Sequence, residues 1–523
     1  MKTRQQLPVT AKSPLAPLYQ RGVGGILIKG GQGGILISRI ANRLLRIYTV
    51  LTLMLCGGCA VGPDHRPPEP SVPSHWSEPL AGGSTHRSES LAQWWQAFRD
   101  KQLNALMAKA MESNLDLRIA KARVRETRAL RGVVSTQLWP TVDGSATYTR
   151  LRTSENGPSG QAVTGGLLPL ETNLYNVALD ATWELDIFGG TRRAVEAAEA
   201  EIGAAQEIGR DVRVTLLAEL GLNYIELRGL QKELAVTRNN LKAQQQTLEL
   251  TRDRLKAGLA TELDVTRAKA QVATTASQIP ALETGIKRAI HRLSVLMGES
   301  PGALTSQLLD AEPIPSVPPE VPVGLPSELL RRRPDVRRAE RQLAAATAHI
   351  GVAIADLFPR FFLTGAIGLQ SVSAGDLLTG GSQFWSLGPT IQWPIFNAGR
   401  IRQNIEVQNT RQEQALLAYE QAVLTSLEDV ENALVAYGKE QARFRELSEA
   451  AQANHRAVEL ANDRYRSGLV DFLDVLEAER SLFTIQAQFA QSERAMSQSL
   501  IRLYKALGGG WDPAKASYAG RGR

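Results

Sequence analysis

Two hydrophobic periods alternate along the chain. In TVDGSATYT, residues 141–149, Val142, Gly144, Ala146 and Tyr148 sit between Thr, Asp and Ser. In YNVALDATWELDI, residues 175–187, the odd positions Tyr175, Val177, Leu179, Ala181, Trp183, Leu185 and Ile187 are apolar, with Asn176, Asp180, Thr182, Glu184 and Asp186 between them. A period of two predicts strands with one apolar face. The pattern returns with Phe361, Leu363, Ile367 and Leu369, then with Trp385, Leu387, Ile391, Trp393 and Ile395. The other period is helical. No proline occurs from Leu170 to Ile279 or from Ile395 to Asp512, and apolar residues recur there at helix spacing. One such run, Thr191 to Gly258, is 68 residues long. As a continuous helix it would reach about 100 Å at ~1.5 Å per residue, a length that suggests coiled-coil packing.

The whole plan occurs twice. A shift of 219 pairs residues 115–140 with 334–359, matching Asp116 to Asp335, Gly132 to Gly351, Leu138 to Leu357 and Pro140 to Pro359. A shift of 210 pairs 249–278 with 459–488 at 12 identities in 30 positions, Asp253, Arg254, Gly258 and Leu259 among them. The chain is a tandem duplication, with copy two nine residues shorter between those blocks. The second pairing sets DRLKAGLATELDVTRAKA (253–270) against DRYRSGLVDFLDVLEAER (463–480). Only the later copy is strongly acidic: Asp471, Asp474 and Glu477 fall three apart, roughly on one helix face.

Strands of about ten residues with one apolar face and aromatics near their ends read as membrane-barrel strands. A half-buried sheet in a soluble domain is the alternative. Four such strands cannot close a pore in one chain, so several chains must contribute. The amino-terminal stretch favours the membrane. Arg39, Arg43 and Arg46 precede the nine-residue apolar run IYTVLTLML, and Gly57 and Gly58 precede Cys59. The order resembles a bacterial lipoprotein signal, which makes Cys59 the acylated residue, although Cys56 stands where leucine is usual. Residues 1–37 lie ahead of this signal, carry a small duplication (GVGGILIKGG, GQGGILISRI) and are given no structural role.

Composition narrows the function. The formal charge of +7 is small for 523 residues, and its cations are interspersed with acids, which argues against nucleic acid. Cys56 and Cys59 are the only cysteines, so no disulfide framework and no thiolate metal site is available downstream. The six histidines never fall within four residues of one another, and neither GxSxG nor HExxH occurs. An enzyme or a cofactor protein is not expected.

In order along the chain stand CAVGPDHRPP, WWQAFRDKQLNALMAKAMESNLDL, WELDIFGGTRR, RRRPDVRRAERQL, IQWPIFNAGRIR and RYRSGLVDFLDVLEAERSL. Together they resemble the TolC-type outer-membrane factors, in particular the OprM/NodT branch of lipoprotein exit ducts for RND-type tripartite efflux systems. The likeness runs from Cys59 to Gly510. It implies an α+β, internally duplicated fold with four transmembrane strands per chain, twelve in a trimeric barrel, and a long α-helical periplasmic barrel. The implied layout is extension and signal 1–58, lipidated tether 59–90, repeat one 91–304 with its hairpin at 141–188, a belt linker 305–326, repeat two 327–510 with its hairpin at 360–396, and a tail 511–523. Implied partners are two further copies, outer-membrane lipid, a periplasmic adaptor (membrane fusion protein) and an inner-membrane transporter. A type I secretion duct of the same fold is one alternative. A periplasmic coiled-coil adaptor is another, but it should lack the strands.

The resemblance also assigns the acidic segment. It places Leu473, Asp474 and Glu477 at a constriction of the periplasmic tip, where threefold symmetry would make rings of carboxylate. Crowding such charges raises carboxyl pKa values and would make closure pH-sensitive. Asp471 is a further tip acid. Between the copies, Asp264 is expected to accept a hydrogen bond from the Tyr465 phenol. TolC has an arginine where Val470 stands, and Arg267 is the candidate to replace that ionic link.

Overall fold

The computed structural model describes residues 60–79, 84–85, 91–158, 162, 164–166, 169–318 and 321–512. Cys59 and the signal segment lie outside the described residues, as does the tail from 513 onward.

Copy one contains α1 (Lys101–Ser113), α2 (Leu115–Thr136), β1 (Thr141–Arg152), β2 (Glu171–Leu185), α3 (Gly190–Lys256) and α4 (Glu262–Leu296). Copy two contains α5 (Pro334–Ala355), β3 (Arg360–Ser371), β4 (Gln383–Gln392), α6 (Arg400–Arg466) and α7 (Phe472–Ala506). The duplication survives to the residue. Helices α2 and α5 have 22 residues each, α3 and α6 have 67, and α4 and α7 have 35. The nine-residue shortening falls inside the second hairpin, since Arg152 to Thr182 in copy one answers to Ser371 to Gln392 in copy two.

The strands form one antiparallel sheet in the order β1-β2-β3-β4. The two copies meet at its centre, where Leu185 is opposite Phe361 and Tyr175 opposite Ser371. Val142, Tyr148, Val177, Leu179, Ile367, Trp385, Leu387 and Ile391 are all exposed on it. An apolar sheet face of this extent is costly in water and suited to lipid. The second strands stop at Leu185 and Gln392, short of the expected ends at Ile187 and Ile395. Just past β4 stands Pro394, which has no N–H to offer a ladder. At the sheet's helical end the Trp183 indole donates to the Leu138 carbonyl and the Trp393 indole to Leu357, both at 3.0 Å. Among the described residues no helix is long and apolar enough to cross a membrane.

The main core lies midway along the long helices. Trp94, Trp95 and Phe98 pack there with Leu217, Leu220 and Ile225 of α3, Ile290 and Leu293 of α4, and Leu500, Leu503 and Tyr504 of α7. Leu308, Ile314, Val321 and Val323, from the segment joining the copies, fill the same cluster. Arg333 of the RRRPD run reaches Asp335 (2.6 Å), Asp429 of α6 (2.9 Å) and the Ala506 carbonyl (3.1 Å), so it ties the start of α5 to α6 and the end of α7.

The Pro-rich leader, expected as a spacer, is seated instead. Buried Arg193 donates to the carbonyls of Val61 (3.0 Å) and Gly62 (3.2 Å) and to Asp64 (2.7 Å). A Cβ on Gly62 would come 2.4 Å from Gly351 Cα, so the backbones touch at that point.

Candidate functional site

Each copy ends its long helix in the same turn. After α3 comes Gly258 at φ +74°, and after α6 comes Gly468 at φ +73°. Nothing lies within 4 Å of a Cβ built at either, so it is the left-handed backbone that calls for glycine. The Leu259 N–H donates to the Arg254 carbonyl (2.8 Å) and the Leu469 N–H to Arg464 (2.9 Å), closing both helix ends.

Beyond the turn the copies diverge. Thr261 caps α4 in a complete capping box. The Asp264 N–H donates to Thr261 Oγ1 (3.3 Å), while Asp264 Oδ2 accepts from the Thr261 N–H (2.9 Å) and hydroxyl (2.7 Å). Asp471 occupies the corresponding place before α7, but its side chain makes no cap bond. Asp471, Leu473, Asp474 and Glu477 are all exposed, and none of these acids makes an ion pair among the described residues. The opposite face of α7 carries Phe472, Val475 and Leu476 into a small cluster with Leu248, Val265, Ala268 and Tyr465. The acids of α7 therefore stand on its solvent side, at the positive end of its dipole.

The expected bond from Tyr465 to Asp264 is not made. Asp264 is engaged by its own cap, and the Tyr465 hydroxyl, on a residue only 3% exposed, has no hydrogen-bond partner among the described residues. A local carboxylate-to-backbone bond is available as soon as α4 starts, and it outcompetes the longer reach. Arg267 is exposed and forms no ion pair among the described residues, so it supplies no cross-copy link here. The link is Arg254 instead. Its guanidinium lies 4.3 Å from the Tyr465 ring centroid and donates to the Tyr465 carbonyl at 3.1 Å. Phe472 packs on the same ring at 5.9 Å between centroids. Arg254 was visible as one of the identities between copies, though nothing in that pattern names its partner.

Glu479, a second residue that the acidic pattern did not single out, is 4% exposed and accepts from the Thr247 hydroxyl at 2.7 Å. Burial pushes its carboxyl above the ordinary glutamate range, and the threonine bond offsets this only in part. Its counterpart in copy one is exposed Lys269, so the signal for Glu479 is a departure from the duplication.

The Outer membrane efflux protein family matches residues 106–299 and 325–509, one block in each copy. The chain belongs to that family. Nodulation protein T of Rhizobium leguminosarum bv. trifolii is 32% identical over 479 residues, 91% of this chain and 99% of the relative. The solvent efflux pump outer membrane protein SrpC of Pseudomonas putida is 33% identical over 472 residues, 88% of this chain and 97% of its own. Among solved structures, the outer-membrane channel OprN superposes with a TM-score of 0.80 at 37% identity, covering 87% of this chain and 100% of that one. The chain is thus an outer-membrane efflux duct of the NodT/OprM type, and its family is one of channels, not of enzymes.

Proposed function

We propose that three copies of this chain assemble the exit duct of a tripartite pump, passive in itself and gated at its periplasmic tip. The observation that carries the assembly is the sheet. Among the described residues it has four strands and two unpaired edges, β1 and β4, and an exposed apolar face. Open edges do not persist in lipid, where backbone groups find no water to bond. Closure by like chains removes them, and three chains would supply twelve strands. The long helices then continue the duct into the periplasm, towards an adaptor and an inner-membrane RND-type transporter that supplies the energy. Cys59 immediately precedes the leader that Arg193 seats near the sheet's helical end, so acylation there would put the lipid beside the membrane.

At the tip, Leu473 would form an apolar collar, and Asp474 and Glu477 rings of negative charge that favour cations over anions. Asp471 would add charge at the mouth. The test is conductance of the purified assembly in a planar bilayer, comparing the native chain with Asp474→Ala/Glu477→Ala. Altered conductance together with weaker cation preference is expected. Unchanged values in both would sink the gate assignment.

A further inference from the structure

Each copy sets a short helix against the long one that follows it, α2 on α3 and α5 on α6. In copy two this contact is filled. Val336 and Ala339 of α5 pack with Tyr419 and Val423 of α6, all four buried, and Val72 of the leader lies against them. One residue on from Ala339, Glu340 bonds to the His65 ring of the leader at 3.0 Å.

In copy one the same contact is hollow. The counterparts of Val336 and Ala339 are Leu117 and Ala120, but those of Tyr419 and Val423 are Gly209 and Arg213. Glycine in place of tyrosine removes a whole aromatic side chain. A Cβ built on Gly209 would meet only Ala120 Cβ, at 3.8 Å. The result is a cavity of about 910 Å³ whose apolar wall includes Leu117, Ala120 and Val124, and no described residue of the leader enters its lining. Charge is inverted along with volume. At the place of Glu340 stands Lys121, exposed and without an ion pair among the described residues. At the place of Val423 stands Arg213, whose Nε is buried with no hydrogen-bond partner among the described residues. Burial pushes its pKa down, and no carboxylate offsets that. Among the described lining residues Asp512 is the single acid against three cations, of which Arg210 is already bonded to Glu207. A desolvated guanidinium without a partner is unfavourable until an anion completes it.

We propose that this cavity binds a small amphipathic organic anion, its carboxylate or sulfonate held by Arg213 and Lys121 and its apolar body in the space that the Tyr419 ring fills in copy two. A volume of this order suits a small molecule. The filled contact shows what the empty one lacks: an apolar group between the helices, and a group of opposite charge for position 121. In copy two the chain supplies the first from α6 and the leader, and the second as an imidazole for an acid. With the charge reversed in copy one, the missing group is negative. The site lies beyond the duct reading and does not depend on it.

The test is isothermal titration calorimetry of the full-length protein in a non-ionic detergent, with 4-phenylbutyrate, its neutral amide 4-phenylbutyramide, and acetate as probes. Saturable binding of 4-phenylbutyrate is expected. The amide should bind about ten-fold more weakly, the scale of one lost charge-assisted bond, and acetate, which has no apolar body, should give no saturable heat. Arg213→Gln should weaken 4-phenylbutyrate by a similar factor. Gly209→Tyr, which installs the residue of the filled contact, should abolish its binding with circular dichroism and oligomeric state unchanged. A native protein that takes up no 4-phenylbutyrate overturns the site, and equal affinity for acid and amide overturns the anionic recognition. Binding that survives in a folded Gly209→Tyr protein lies elsewhere and overturns the cavity. Should that variant misfold, an unchanged affinity in Arg213→Gln overturns the assignment by itself. None of these readouts is a conductance, so their failure leaves the duct reading standing.

Discussion

The two tips of this chain share a backbone and differ in what their carboxylates do. Copy one turns at Gly258, caps α4 with Thr261 and engages Asp264 in a closed box. Copy two turns at Gly468 and keeps an acid, Asp474, at the equivalent of Asp264, but the capping residue is itself an acid, Asp471, with no side-chain cap bond. One substitution of kind, hydroxyl for carboxylate, separates an internally satisfied helix start from one that leaves its charges to solvent. A threonine hydroxyl can both accept from the helix N–H and donate to Asp264, whereas an ionised aspartate can only accept and repels its neighbour. After duplication, stability and charge presentation could be divided between the copies.

The comparison is most exposed to test at its arginines. Arg254→Ala removes the cover of Tyr465 and the bond to its carbonyl and should cost about 2 kcal/mol of local stability. Arg464→Ala, at the exposed equivalent in copy two, should cost less than about 0.5 kcal/mol. Hydrogen exchange of the two turns reads both, and equal losses would show that Arg254 is not the cross-copy link. The caps come next. Thr261→Ala should weaken the start of α4 by about 1 kcal/mol, while Asp471→Ala should change α7 by only about 0.3 kcal/mol, the scale of a charge near a helix dipole. Similar losses in protection of the first turns would refute the division of roles.

The smallest effect is a slope. The Glu479 carboxyl is held above its ordinary value by burial, so the packing of α7 on α3 around Thr247 is favoured while this group is protonated. That contribution is complete below the ordinary glutamate range and is lost as pH rises through the raised value. Protection around Thr247 and Glu479 should therefore fall from pH 4 to pH 8, and Glu479→Gln should flatten the dependence. A profile identical in the variant would assign the slope to other groups.

Much of this architecture was legible in the residues. The equal shift of 210 that matches Gly258 to Gly468 also matches the ends of α3 and α6, because a left-handed glycine stops a helix wherever it is placed. The period of two from Tyr175 to Leu185 marked a strand because side chains alternate across any pleat. Less visible were the residues whose role depends on a distant neighbour. Glu479 reads as another surface acid until Thr247 is seen above it, and Arg193 as one of two adjacent arginines until the leader crosses it.

Local chemistry thus settled the tandem plan, the lengths of the helices, the strand faces and the acidic character of the second tip, since each depends on residues within a turn or a pleat of one another. Competition among partners lay beyond it. Asp264 had two candidate donors, Thr261 beside it and Tyr465 some 200 residues away, and the choice between them is a matter of distance. Arg254 likewise acquired its place on Tyr465 when the carboxyl-terminal ends of α3 and α6 met at the tip, because a hydrogen bond or a stacked cation counts only within a few ångströms, and packing sets which groups come that close.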